Sequence, residues 1–98
     1  MSPLGRLQKL NTIGNLWFYI LTLAKNNPIY AYQLQKEIKK KFDFYPGKIT
    51  PYRVLYRLEK GGFVKSIIKE RKRIYQITEK GEEELKKARE FYKKLICI

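Results

Sequence analysis

Apolar positions recur along the chain with two different periods. Between residues 12 and 25 they surround a helix axis: Ile13, Leu16, Trp17, Phe18, Tyr19, Ile20, Leu21 and Leu23 leave almost no polar side. Thr12 or Asn11 is available as its N-cap, and Asn26, Asn27 and Pro28 stop it. A helix apolar nearly all round needs cover on both sides, which in a small domain predicts help from a second copy of the chain. Leu4, Leu7 and Leu10 either extend this helix or form a short separate one.

A second helix is predicted over residues 31–42, where Leu34, Ile38 and Phe42 recur every four positions and Gln33, Lys36, Lys39 and Lys40 take the other side. Asp43 to Gly47 then form a breaker-rich turn. A third helix is predicted over 50–60, with Thr50 as N-cap, Pro51 in the first turn and Gly61 as its end. At about 100° per residue, Pro51, Val54, Leu55 and Leu58 share one arc. Tyr52, Arg53, Tyr56, Arg57 and Lys60 share the opposite one, away from the core.

The period then shortens. Phe63, Val64, Ile67 and Ile68 precede a basic patch, and Ile74, Tyr75 and Ile77 follow it, so residues 63–77 read as a hairpin. With no Asn-Gly or Asp-Gly at the tip, a loose loop around Lys69 to Lys72 is expected. Thr78 caps a last helix whose early glutamates and late lysines suit the helix dipole. Its seam of Leu85, Ala88, Tyr92 and Leu95 fits packing on a partner or on its own domain. Gly81 is out of place near its start.

Charge sharpens this picture. The chain of 98 residues carries a net charge of +13, and its 44% apolar content fits one small globular domain. Residues 36–73 hold 13 basic and four acidic side chains, whereas residues 78–98 hold six basic and five acidic. So lopsided a surface points to a polyanion, nucleic acid before an anionic membrane. No apolar run is long enough to span a bilayer and no secretory leader is apparent, so a soluble, cytoplasmic chain is expected. Without histidine, with one aspartate, the single Cys97, and only Ser2 and Ser66 as serines, no nucleophile–base pair or metal cluster can be assembled. Gly61 and Gly62 follow a helix and open none, so there is no phosphate loop. No enzyme activity, metal or cofactor is expected.

The order of elements matches a helix-turn-helix whose second helix enters a major groove, followed by a hairpin wing. The stretches LWFYILTLAKNNPIYAYQLQKEI, FYPGKITPYRVLYRLEKGGFVK and RIYQITEKGEEEL resemble the PadR-like winged-helix transcriptional regulators over about residues 12–90. Where that family usually carries Tyr-Gly-Tyr, this chain has Tyr30, Ala31 and Tyr32. The expected fold class is α+β and mostly helical: a winged helix-turn-helix over residues 1–77 and a C-terminal dimerisation helix over 78–98. The resemblance implies a recognition helix bearing Tyr52, Arg53, Tyr56 and Arg57, to which Thr50 and Lys60 are added, and a phosphate contact from Tyr32. It also implies that the last helix crosses a partner's first helix; aromatic residues near the dimer axis could bind a flat apolar effector, a property of some relatives.

Lys36, Lys40 and Lys48 are candidates for the DNA backbone, and Lys69, Arg71, Lys72 and Arg73 for the wing contact. Ile13, Trp17, Ile20, Leu85, Ala88, Tyr92 and Leu95 are candidates for the dimer interface. Each has a plainer reading: the tyrosines could cover the hairpin, the arginines could pair with Glu59 or Asp43, and the lysines could be a solvated face. The function expected is a homodimeric, sequence-specific repressor on a near-palindromic operator. A non-specific architectural DNA-binding protein and a basic protein-interaction module are the alternatives.

Overall fold

A computed structural model describes residues 2–97, so Met1 and Ile98, the outer bounds of the two expected parts, lie outside the described residues. The first element, α1 (Pro3–Leu10), is a short separate helix. Ser2 caps it by accepting from the Gly5 amide at 3.0 Å, and none of its residues is buried. Asn11 and Thr12, expected to start the next helix, instead close this one. The Asn11 side-chain amide donates to the Leu7 carbonyl at 2.8 Å and the Thr12 hydroxyl to that of Gln8 at 2.7 Å. Side chains of this type bond whichever backbone end lies nearest, so they mark a boundary without giving its direction.

A 3₁₀ turn (Ile13–Asn15) leads into α2 (Leu16–Asn26), the centre of the core. Leu16, Ile20, Leu21, Leu23 and Ala24 are buried on it. Most of the cover that sequence alone assigned to a partner comes from the chain itself. Tyr19 meets Phe42 and Phe44 edge-on, with ring centres 4.8 and 5.0 Å away, and Phe18 meets Tyr92 at 5.3 Å. Two candidates for the dimer interface are corrected here: Ile20 and Leu85 are fully enclosed in this chain's own core, with no surface left to offer. Burial among these rings also raises the pKa of the Tyr19 phenol above its ordinary value, with a smaller contribution from Tyr92.

After Pro28 a two-residue strand, β1 (Ile29–Tyr30), and a 3₁₀ turn (Ala31–Gln33) precede α3 (Leu34–Phe42). The expected helix therefore tightens over its first three residues. Leu34 and Ile38 face the core, and Asp43 stops the helix by taking the left-handed conformation at φ +57°. The following turn is held by the Gln35 side-chain amide, which donates to the Tyr45 hydroxyl at 2.9 Å and the Gly47 carbonyl at 2.8 Å.

Helix α4 (Thr50–Lys60) occupies the expected residues, but Thr50 is not its cap. Ile49 already has helical φ and ψ, so the helix is entered one residue early and no side chain caps it. Its far end closes as a Schellman motif: the Phe63 amide donates to the Leu58 carbonyl at 2.9 Å and the Gly62 amide to that of Glu59 at 3.0 Å. Gly62, at φ +83°, supplies the left-handed residue and Gly61 the cap.

Strands β2 (Val64–Lys69) and β3 (Lys72–Ile77) form the hairpin, and β1 adds to the far edge of β3, giving an antiparallel sheet in the order β1-β3-β2. The tip is tight, not loose. Lys69 pairs with Lys72, and only Glu70 and Arg71 connect the strands, at φ +52° and +65°. Positive φ at both positions is what a two-residue turn of primed type needs, here without glycine.

Helix α5 (Glu79–Ile96) starts at Thr78, whose hydroxyl accepts from the Gly81 amide at 3.1 Å and donates to the Gly62 carbonyl at 2.6 Å. One side chain thus ties the end of α4 to the start of α5. Thr78→Ala is expected to destabilise the fold by about 1–2 kcal/mol, through loss of the part-buried cap and of the exposed bond to Gly62. A thermal melt followed by circular dichroism checks this, and an unchanged midpoint would show that water replaces both bonds.

Candidate nucleic-acid interface

On α4 the two arcs separate as the sequence predicts. Pro51, Leu55 and Leu58 are buried, whereas Tyr52, Arg53, Tyr56, Arg57 and Lys60 are exposed. Tyr52 and Tyr56 retain 51% and 62% of their accessible surface, so each offers more than half of it to solvent. The Lys60 ammonium lies 5.8 Å from the centre of the Tyr56 ring, one helical turn back. Arg53 and Arg57 make no ion pair among the described residues. The acids that could have neutralised them are engaged elsewhere: Asp43 pairs with Lys39 at 3.1 Å, and Glu59 accepts from the Ser66 hydroxyl.

The lysines of α3 divide in the same way. Lys39 and Lys41 pair with Asp43 and Glu37 along the helix, whereas Lys36 and Lys40 are exposed and make no ion pair among the described residues. Lys48 stands exposed in the turn before α4. Tyr32 is exposed in the 3₁₀ turn, where the Gln33 side-chain amide donates to its hydroxyl at 3.2 Å. Its ring carries the Lys72 ammonium 5.1 Å above its centre. Pairing of β1 with β3 makes this contact, bringing a residue of the helix-turn-helix and one of the wing together.

On the wing, Lys69, Arg71, Lys72 and Arg73 are all exposed. Arg73 is not idle: its guanidinium donates to the Ser66 oxygen at 2.9 Å. Beside this group Tyr75 is buried, which raises its pKa above the ordinary phenol value. The Glu59 carboxylate adds to that rise and Arg73 partly offsets it. The sequence offers Glu59 only as a possible partner of Arg53 or Arg57 and Ser66 only as one of two serines, neither as part of a bond between α4 and the wing. The one available sign was that Ser66 is the only uncharged polar residue between Phe63 and Lys69.

Away from these elements, Trp17, Ala88, Phe91 and Tyr92 line an open cleft of about 350 Å³ between α2 and α5. The Tyr92 hydroxyl is fixed from within the chain, donating to Asn11 Oδ1 at 2.9 Å and accepting from the Asn15 side-chain amide. Of the other residues expected at an interface, Ile13 and Leu95 are exposed, and Trp17 and Ala88 are half-buried. Leu4, Leu7, Leu10, Phe91 and Ile96 add further exposed apolar surface on the first and last helices. Among the described residues no three potential metal ligands converge, and no helix is long and apolar enough to cross a membrane.

A family model described as "Transcriptional regulator PadR-like family" matches residues 20–87. No curated protein matches the sequence significantly. Among solved structures, a transcriptional regulator from Clostridium thermocellum is 32% identical, with 82% of this chain and 84% of that one covered, at a TM-score of 0.77. A winged-helix DNA-binding protein of STIV is 22% identical over 91% of this chain and 94% of its own, with a TM-score of 0.72, which bears on the fold alone. The PadR protein of Bacillus subtilis, solved with operator DNA, is 25% identical over 74% of this chain and 45% of its own length, at 0.62.

Proposed function

The chain belongs to the PadR-like family of transcriptional regulators, and from that premise we propose that it reads a specific double-stranded DNA sequence as a homodimer and represses transcription by occupying it. Members of the family are transcription regulators and not enzymes. The observation that carries the reading is the outer arc of α4. Two arginines and two tyrosines stand exposed there without acid partners among the described residues, on a helix whose other arc is locked into the core. A helix of this kind fits a major groove, where Arg reaches guanine and aromatic edges reach thymine methyls or phosphate.

Lys36, Lys40, Lys48 and Tyr32 flank that arc as phosphate contacts, and the wing cations Lys69, Arg71 and Lys72 follow the adjacent strand. The dimer would form through the exposed apolar residues of α1 and the end of α5, with Ile13, Trp17, Ala88, Tyr92 and Leu95 at its margin. A flat apolar effector belongs in the cleft of Trp17, Ala88, Phe91 and Tyr92, where a partner chain would wall the open side. The cytoplasm is the compartment this function requires.

Selection of bound fragments from a random duplex library, followed by competition with random DNA, is expected to enrich an inverted repeat. Its half-site centres should lie about 34 Å, one helical turn, apart. Tight binding without any enriched sequence would make the chain an architectural protein. Absence of binding at low salt would leave its basic face to an acidic protein partner.

A further inference from the structure

On a DNA-facing helix a carboxylate repels phosphate and is of use only where it accepts from a cytosine amino group, and α4 carries one, Glu59. Between residues 44 and 78 the only acids are Glu59 and Glu70, and Glu70 sits exposed in the hairpin turn. Glu59 is half-buried and points at the hairpin, where it accepts from the Ser66 hydroxyl. The Ser66 oxygen in turn accepts from the Arg73 guanidinium at 2.9 Å. A hydroxyl has one proton and two lone pairs, so this order, Arg73 to Ser66 to Glu59, uses its donor and one acceptor site. Both bonds involve a charged partner and are stronger than neutral ones. Ser66 pairs with Tyr75 and Arg73 with Ile68, so the two wing residues are diagonal neighbours on one face of the sheet.

Resting on the DNA-binding reading above, we propose that Ser66 is a positioning residue, which fixes the angle of the wing to α4 through Glu59 and Arg73. Arg73 then acts on DNA through this chain of bonds and not by touching it. Among the described side-chain hydrogen bonds this is the one that joins α4 to the strands of the hairpin. The remaining links lie at its root, where the Phe63 amide donates to Leu58, the Lys80 ammonium to Gly61 and the Thr78 hydroxyl to Gly62. Past Ser66 the hairpin is without cover on β2, with Ile68 retaining 65% of its surface. It is a lever of three further residues, about 10 Å long at the usual strand rise. A slack of some 10° at Ser66 moves the tip by roughly 2 Å, enough to break a hydrogen bond to phosphate.

The matched pair Ser66→Thr and Ser66→Val tests this, because both suit a strand and differ by the hydroxyl alone. Binding to a fixed duplex is measured as a function of salt, with circular dichroism melts confirming that each variant is folded. Ser66→Thr is expected to bind as the unaltered chain does. Ser66→Val, although it changes no charge, is expected to bind about tenfold more weakly and to flatten the salt dependence by about 0.9 for each phosphate that the wing no longer reaches. In the Ser66→Val background, Arg73→Ala should cost nothing more. A salt slope for Ser66→Val equal to that of Ser66→Thr overturns the proposal, as does a further loss from Arg73→Ala, which would make Arg73 a direct contact. Failure of the unaltered chain to bind any duplex removes the DNA-binding reading itself, and the proposal with it.

Discussion

Gly81→Ala is expected to destabilise the protein by about 3 kcal/mol, the upper end of ordinary overpacking, and to lower its melting midpoint by about 12–24 °C for a domain of this size. A Cβ at this position would stand 2.1 Å from the Phe63 carbonyl oxygen and 2.8 Å from the Ile77 side chain. The oxygen cannot retreat cheaply. It accepts from the Thr78 amide at 3.1 Å, while the Phe63 amide is committed to the Schellman closure of α4. The better helix propensity of alanine returns less than about 1 kcal/mol, so the clash prevails. Gly81 therefore lets the first turn of α5 lie directly on the backbone that leaves α4. A thermal or urea melt decides the matter; a variant as stable as the parent would mean that α5 can shift outward without loss.

The second large effect concerns recognition. Arg57→Ala is expected to reduce discrimination between the selected operator and random DNA by about 1–3 kcal/mol, as removal of a bidentate arginine–guanine pair does. Arg57 is exposed on the outer arc, has no acid partner among the described residues, and belongs to a helix end fixed by two glycines. Lys72→Ala should behave differently, weakening operator and random DNA by the same factor and lowering the salt slope by about 0.9, because a wing lysine meets phosphate and not a base. Competition titrations with both DNAs separate the two behaviours. An equal loss on both DNAs for Arg57→Ala would assign that arginine to the backbone.

Much of this architecture is legible in the sequence because helix periodicity and glycine placement are local signals. The two arcs of α4, its end at Gly61 and Gly62, and the Thr78 cap all follow from residues within one or two turns of each other. Other features depend on what lies far along the chain. Strand β1 is two residues long and exists because β3 offers it an edge, so no period announces it. Ile20 and Leu85 show that an apolar position tells nothing of who covers it: both lie in the chain's own core. The bonds from Arg73 through Ser66 to Glu59 span seven residues at each step and depend on hairpin register. Register in turn depends on the tip, where Lys-Glu-Arg-Lys carries no turn signature yet closes in two residues.

That closure bears on how association is driven. A flexible tip would have to be ordered as it met a phosphate, at a cost of about 1–2 kcal/mol of backbone entropy for each residue immobilised. Glu70 and Arg71 already hold left-handed conformations in the folded chain, so that loss occurs on folding. Glycine at position 71 would relax the turn and remove its guanidinium; keeping arginine there accepts local strain for a charge already in place before any ligand arrives. The wing thus meets its partner with a preformed backbone, and what remains to be ordered on contact is the rotamer freedom of its exposed side chains.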